Sequence, residues 1–261
     1  MSESTIEKTA TAAAAVAGGV TLDSVVRILG DKRVLDRIDL RVAGHSRVGI
    51  VGRSGAGKST LLSLVAGLDE PDDGTVAVGG KTRTAERLAA CALMPQRDSL
   101  LPWRTALDNA CLALENRGLS RREARDRAAP MFERLGLSGA ERLRPARLSG
   151  GMRQRVAFLR TLLGNKEVLL LDEPFGALDA ITRAELQEWL ADVLTGEPRT
   201  VLLVTHDVEE ALLLSDRVIV IADGRVVFDV DVEIPRGGRR RDVVTSEPFV
   251  DLREQALEAI E

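Results

Sequence analysis

Gly52-Arg53-Ser54-Gly55-Ala56-Gly57-Lys58-Ser59 fits the pattern GxxxxGK[ST], and it stands between a run that reads as a strand and one that reads as a helix. Glycines in such a loop let the backbone curl with its N–H groups pointing inward. The start of the following helix adds the positive end of its dipole. The chemistry this suits is the holding of a nucleotide's phosphates. Lys58 reaches the terminal phosphates, Ser59 can ligate Mg2+, and Thr60, next on the same helix start, is expected among the nucleotide-binding residues. The chain has only five lysines, and one of them falls at the required place, which a chance glycine-rich turn would not arrange.

Two further segments carry chemistry. In Leu169-Leu170-Leu171-Asp172-Glu173 an apolar run delivers two carboxylates at its end, the edge where open α/β sheets bind ligands. Asp172 would support Mg2+ directly or through water. Glu173, one step nearer the phosphate, would polarise the attacking water as a general base. Alone, such a pair is as often a solvated turn; downstream of a phosphate loop it is not alone. The third segment, Leu148-Ser149-Gly150-Gly151-Met152-Arg153-Gln154-Arg155, is a second anion-suited helix start lying 91 positions beyond Lys58.

The elements that must position these residues are those of an α/β core. Arg47 to Val51 reads as a strand and Lys58 to Ala66 as a helix stopped by Gly67. Val168 to Leu171 and Val201 to Val204 are fully apolar, as expected of parallel strands buried on both faces, and a helix from about Ile181 to Leu194 lies between them. Ahead of this core, Val20, Leu22, Val25, Val26, Ile28, Val34, Ile38, Leu40 and Val42 alternate as antiparallel strands. Pro71-Asp72-Asp73-Gly74 marks a turn before Thr75 to Val78, where a hairpin is expected to continue the β region. From about Arg97 to Leu148 the spacing becomes helical, and Pro102, Gly118, Pro130, Gly136 and Pro145 are expected to break it into short helices. Ser149 then sits as an N-cap, with Met152, Val156, Leu159 and Leu163 on one face of a helix ending near Gly164-Asn165. Val218 to Ile221 and Val226 to Phe228, joined through Asp223-Gly224, read as a terminal hairpin. After it come about thirty residues with a short helix bearing Phe249, Leu252, Ala256 and Ile260, too few for a regulatory domain. The expected division is a disordered tail over 1–19, one domain over 20–230 with a helical subdomain at about 97–148, and a C-terminal tail over 231–261.

The order of these segments resembles the ATP-binding subunits of ABC transporters, whose signature segment is LSGGQ-like, over nearly the whole chain from about Val20. The other elements of that family stand in sequence: Gln96 in Met94-Pro95-Gln96, the loop Gly176-Ala177-Leu178-Asp179 and the switch Thr205-His206-Asp207. The resemblance implies a P-loop NTPase core with a mainly parallel sheet, an N-terminal antiparallel β subdomain and an inserted α-helical subdomain. It implies ATP and Mg2+, with Gln96 at both the metal and the catalytic centre. His206, following Val201 to Val204, would emerge beside Glu173 against the terminal phosphate. It further implies a head-to-tail dimer, homodimeric or pseudo-symmetric. Each ATP would lie between Lys58 of one subunit and Ser149, Gly150 and Gly151 of the other, with Asp179 at the same boundary.

Met94 to Trp103 looks like the importer branch that serves nitrate, sulfonate, taurine or pyrimidine-precursor uptake, and Asp207-Val208-Glu209-Glu210-Ala211 and Pro235-Arg236 agree. That branch implies a separate membrane permease, an indirect tie to an extracytoplasmic solute-binding protein, and a peripheral place on the cytoplasmic face of the inner membrane. Trp103 either lines the groove that receives a permease helix or packs inside the helical subdomain. Arg236, Arg239, Arg240 and Arg241 either touch lipid headgroups or form a solvated loop. The competing class is a soluble ABC ATPase acting on DNA or the ribosome, but such relatives carry a long coiled coil or two ATPase domains. A nucleotide kinase would leave Ser149-Gly150-Gly151 and His206 unexplained.

Composition agrees with these expectations. A formal charge of -4 argues against a nucleic-acid partner bound by phosphate neutralisation. Cys91 and Cys111 lack the spacing of a zinc site or a disulfide framework, which fits a reducing cytosol. The first residues lack the pattern of a signal peptide. No apolar run approaches the roughly 18 residues of a membrane span. The aromatics are sparse, five Phe, two Trp and no Tyr. Family members commonly stack adenine on an aromatic residue just before the strand leading to the phosphate loop, and alignment through Gly30, Val34 and Leu35 puts Leu29 there. Adenine would then rest on Leu29 and Val34, losing part of the roughly 1–3 kcal/mol that base stacking supplies. His45 is expected to be an ordinary loop residue.

Overall fold

The alternating run near the start folds as β1 (Val20–Leu29) and β2 (Lys32–Val42), paired antiparallel with Val20 opposite Val42. This computed structural model describes residues 18–176, 178–195, 199–234 and 240–260. Most of the stretch read as a tail therefore lies outside the described residues. The third strand of this sheet is β4 (Asp73–Val78), which pairs with β1 and leaves β1 in the centre. The hairpin expected after Gly74 is absent: beyond β4 the chain makes only an isolated bridge, Val78 to Lys81. The long-range edge of β1 wins because it offers Val20 and Leu22, both fully buried, to Val76 and Val78.

The second sheet has the order β5-β6-β7-β3-β8-β9. Its strands are β3 (Arg47–Val51), β5 (Cys91–Met94), β6 (Val168–Asp172), β7 (Thr200–Thr205), β8 (Arg217–Ala222) and β9 (Arg225–Asp231). β5, β6, β7, β3 and β8 are mutually parallel, and only β9 runs against its neighbour. Val168 to Leu171 are buried throughout, as helices on both faces require. Because β3, β5, β6 and β7 are parallel, the loops that follow them share one edge, where β3 and its non-sequential neighbours create a crevice. Asp223 and Gly224 both adopt left-handed φ, 47° and 73°, matching a two-residue hairpin between β8 and β9.

The helices are α1 (Lys58–Ala66), α2 (Thr84–Ala90), α3 (Ala106–Ala110), α4 (Leu112–Asn116), α5 (Arg121–Arg134), α6 (Gly150–Leu163), α7 (Ala180–Thr195), α8 (Val208–Leu214), α9 (Arg240–Val244) and α10 (Glu247–Ile260). Pro130 does not break the chain as expected but lies inside α5. A proline there costs roughly 3 kcal/mol. A capping box between Ser120 and Glu123, and a buried face of Ala124, Ala128 and Phe132, carry the helix through it. The helical segment closes on α6, since α3 and α6 share one apolar cluster containing Ala106, Ala110, Val156 and Phe158. At the other end, Phe249 and Ala256 of α10 are fully buried in a cluster with Val208, Ala211 and Leu212 of α8. Among the described residues, no helix is long and apolar enough to cross a membrane.

Candidate active site

The loop after β3 is closed by geometry that its glycines make possible. Gly57, at φ 99°, caps α1, and a Cβ there would stand 2.7 Å from the Val34 carbonyl oxygen. Lys58 follows and is only 5 % exposed. Its Nζ donates to the carbonyls of Gly52 at 2.7 Å and Arg53 at 3.0 Å, so the ammonium is held over the loop. Burial lowers its pKa, while Glu173 and Asp172 pull it back up. Gly52, Arg53, Ser54, Gly55 and Ala56 form the loop itself, and Thr60 continues α1.

Ser59 Oγ donates to Asp172 Oδ1 at 3.1 Å, joining the start of α1 to the end of β6. Burial raises the pKa of Asp172, the hydrogen bond from Ser59 opposes this, and the charge of Glu173 raises it further. Glu173 takes a left-handed φ of 45°, a conformation that costs a non-glycine residue of order 1–3 kcal/mol. Its N–H donates to the Val204 carbonyl at 2.8 Å, which pins this turn to β7. The carboxylate then meets two other loops at one atom. Gln96 Nε2, two residues past β5, donates to Glu173 Oε2 at 2.9 Å, and His206 Nδ1, just past β7, lies 3.4 Å from the same oxygen. The hydroxyl, carboxylate and amide oxygens of Ser59, Asp172 and Gln96 are the hard donors that suit Mg2+. The structure thus brings together Lys58, Ser59, Asp172, Glu173, Gln96 and His206 from four loops on one sheet edge.

The signature segment stands apart. Ser149 caps α6, its Oγ accepting from Met152 N–H at 3.2 Å, and is exposed. Gly151 is buried, and a Cβ there would stand 2.9 Å from Thr182 Cγ2 of α7. Asp179 caps the start of α7, accepting from Thr182 N–H at 3.1 Å. Among the described residues, no hydrogen bond or ion pair links Ser149, Gly150, Gly151 or Asp179 to the cluster around Lys58; Ala177 lies outside them. What does link α6 to the centre is indirect. Arg153 Nε pairs with Asp98 at 3.0 Å, and Arg160 donates to the carbonyls of Asp98 and Ser99 at 2.8 and 2.9 Å, gripping the segment just beyond Gln96.

Residues 35–176 match the family described as ABC transporter. The chain belongs to that family. It is 47% identical over 224 residues to an aliphatic sulfonates import ATP-binding protein, SsuB 1, of Rhodococcus jostii, covering 86% of this chain and 87% of the relative. It is 44% identical over 208 residues to the formylaminopyrimidine import ATP-binding protein ThiZ of Halalkalibacterium halodurans, covering 80% and 81%. Among solved structures, a dimeric post-hydrolysis state of the ATP-binding cassette MJ0796 bound to ADP and Pi matches with a TM-score of 0.73 and 30% identity, covering 84% of this chain and 100% of that one. This ABC cassette is an ATPase, and the importer branch read from Met94 to Trp103 is the one to which these relatives belong.

Other expected residues of the cassette fall as follows. Val34 backs the phosphate loop, its Cγ1 3.3 Å from where a Gly57 Cβ would be. Leu29 is 47% exposed, paired with Lys32 across the β1–β2 turn. Trp103 is 69% exposed, which rules out its packing inside the helical segment. The cationic stretch is not wholly a solvated loop: Arg240 opens α9 and donates to Gln187 of α7, whereas Arg236 and Arg239 lie outside the described residues. His45 is an exposed loop residue with left-handed φ, its N–H donating to Thr200 Oγ1 at 2.8 Å. Thr205 and Glu210, which the sequence shows only as members of the switch and the importer-branch segment, form a buried pair directly behind His206. Its signal was a glutamate four places after the histidine on the inward face of a helix.

Proposed function

We propose that this cassette is the energy-coupling subunit of an importer, hydrolysing ATP at a head-to-tail dimer boundary and driving a small solute through a separate permease. The observation that carries the reading is the convergence of Gln96 and His206 on one carboxylate oxygen of Glu173 beside Lys58. In that centre the loop N–H groups and Lys58 hold the β- and γ-phosphates. Glu173 takes a proton from the attacking water as its oxygen bonds to the γ-phosphorus and the bond to ADP breaks. Gln96 and His206 fix the carboxylate, and His206 would be the group next to the γ-phosphate under attack, with ADP as the leaving group. Ser59 and Asp172, with Gln96 alongside, would hold Mg2+, which when bound neutralises charge on the phosphate oxygens.

Ser149, Gly150, Gly151 and Asp179 would meet the ATP held by a second copy, or by a similar cassette, because among the described residues no hydrogen bond or ion pair ties them to the cluster around Lys58 of their own chain. The exposed Trp103, close after Gln96, suits contact with a cytoplasmic helix of the permease. Solute choice would rest with that permease and the extracytoplasmic binding protein, and this subunit would sit peripherally on the cytoplasmic face of the inner membrane. The similarity to import subunits for aliphatic sulfonates and a formylaminopyrimidine supports this assignment. The test is Glu173→Gln: ATP binding persists, turnover falls to background, and gel filtration with ATP shows a trapped dimer. Near-normal hydrolysis with the permease present would remove Glu173 as the base.

A further inference from the structure

Behind His206 runs a buried polar chain that the steps above do not use. Glu210 of α8 is 4% exposed. Its Oε2 accepts from Thr205 Oγ1 at 2.5 Å and its Oε1 from Gln187 Nε2 at 2.8 Å. Thr205 Oγ1 accepts in turn from Asp207 N–H at 3.1 Å, so the hydroxyl spans the backbone on both sides of His206. Gln187, in the middle of α7 and 3% exposed, accepts at its Oε1 from Arg240 of α9. Every donor therefore points toward one carboxylate. Guanidinium to amide to carboxylate is one arm, and backbone N–H to hydroxyl to carboxylate is the other. Burial pushes the Glu210 carboxyl up, and its two hydrogen bonds oppose this. A buried acid is costly to keep unless its surroundings donate to it, and well-packed apolar residues would serve plain stability as well. The same helix is braced from outside, with Phe249 of α10 packed in its cluster and Arg253 Nη1 3.3 Å from Glu209 Oε1.

We propose that Glu210 is the positioning residue for His206, and that Gln187 and Arg240 extend its hold so that the C-terminal segment sets how firmly His206 stands against Glu173. This rests on the reading of Glu173 and His206 as parts of the hydrolytic centre. The amide directions make the chain testable. In Glu210→Gln the new NH2 faces either the Gln187 NH2 or the Thr205 hydroxyl, which then loses residue 210 as the acceptor for its O–H. Turning Gln187 over relieves the first clash but sets its NH2 against Arg240, so one donor of the chain always loses its acceptor. The exchange Gln187→Glu with Glu210→Gln restores every donor–acceptor pair.

The experiment measures ATP hydrolysis by the full chain against ATP concentration, with thermal unfolding alongside. Glu210→Gln is expected to lower kcat roughly tenfold while KM stays within about twofold, because the phosphate contacts of Lys58 are untouched. The paired exchange is expected to recover most of that loss, and Arg240→Met to lower kcat about two- to fivefold. Wild-type kcat in Glu210→Gln, or no recovery in a folded paired variant, overturns the proposal. Should Glu210→Gln fail to fold, Arg240→Met decides alone, and wild-type kcat there overturns the proposal. His206→Ala separates the two readings. If it keeps full activity, the site assignment itself falls. If it is inactive while Glu210→Gln is unaffected, only the positioning role falls.

Discussion

Two glycine-bearing helix starts in this chain look alike as sequence and differ as structure. At α1, Lys58 is buried, bonded to its own loop, and joined through Ser59 to Asp172. At α6, Ser149 is exposed and, among the described residues, its hydroxyl bonds only within its own helix turn. The first meets carboxylate, amide and imidazole side chains of the same chain; the second has a formed anion-suited end and no partner for it among the described residues. The difference teaches that a helix N-terminus is only half of a phosphate site. The other half is the set of side chains that the sheet delivers to it, and the sheet delivers them to α1 alone.

The sharpest way to break the comparison is at Glu173. If the centre beside α1 is chemically complete, Glu173→Gln should lose at least about a hundredfold in kcat, general-base loss of this kind being worth some 10²–10⁴. A loss confined to KM would mean that Glu173 only helps to hold ATP. Next comes Ser149→Arg. Because the Ser149 hydroxyl bonds no group beyond the cap among the described residues, the variant should still bind ATP as a monomer, measured by titration with a fluorescent analogue. It should fail to dimerise with ATP, and hydrolysis should fall by roughly ten- to a hundredfold with the lost trans contacts. A dimer that still forms would return both helix starts to one subunit.

Arg153→Met probes one of the two side chains, Arg153 and Arg160, that link α6 to the segment beyond Gln96. Removing the Arg153–Asp98 pair frees the segment after Gln96 from the first turn of α6. The pair is partly exposed and Arg160 still grips the same segment, so a two- to fivefold loss of kcat, about 0.5–1 kcal/mol, is expected. Unfolding should be nearly unchanged. A large drop in melting temperature instead would make Arg153 a fold residue and uncouple the two helix starts.

How much of this contrast was legible in the sequence follows from where the determinants are local. β3, α1 and the Gly67 stop were readable to the residue because strand, glycine loop and capped helix each carry their own signal. Ser149 was readable as a cap for the same reason. α2 and β5 were not recognised. Ala89-Ala90-Cys91-Ala92-Leu93-Met94 passes from helix to strand with no glycine or proline, and only pairing with β6 decides where β5 begins. Yet β5 is what sets Gln96 against Glu173. β4 is readable as a strand but was expected in a hairpin, whereas it pairs with β1, since strand pairing is long-range. Pro130 misled because a local penalty was outweighed by Phe132 and Ala128 burying against the helical core. Asp172, Glu173 and His206 were expected on one edge, but their meeting at a single oxygen, with Glu173 in a left-handed turn, depends on registers no motif records.

Leu29→Tyr asks whether the α1 side is complete for adenine as well as for phosphate. Leu29 is exposed at the end of β1, and Val34 packs against the phosphate loop, so an aromatic ring at 29 would have room beside a bound base. Recovering about 1 kcal/mol of stacking should tighten ATP binding about fivefold, read by calorimetry, with little change for inorganic triphosphate. Equal tightening of both ligands would place the gain in the phosphate loop and not at the base.

The two cysteines sharpen the comparison with the smallest perturbation. Cys91 begins β5 beneath the Gln96 side, and Cys111 lies between α3 and α4 in the helical segment that packs on α6. Both are fully or almost fully buried. Burial pushes the Cys91 thiol up to about 12, with Arg87 opposing it, and the Cys111 thiol up to about 11, with Asp108 and Glu115 adding to the rise. Since only the thiolate reacts, at about pH 8 each should label with maleimide far more slowly than a free thiol, until the region around it opens. Rising pH should restore reactivity only as it nears those raised values, because deprotonation in the folded state is the limiting step. In graded urea, mass spectrometry after a brief labelling pulse separates the sites. The helical segment has the smaller cluster around Cys111, with Leu114, Ala124 and Ala128, against the large core beside Cys91. Cys111 should therefore label at lower urea than Cys91, reporting that the α6 side loosens before the α1 side. Simultaneous labelling would mean that one cooperative unit carries both helix starts, and that the contrast between them is one of partners only and not of local stability.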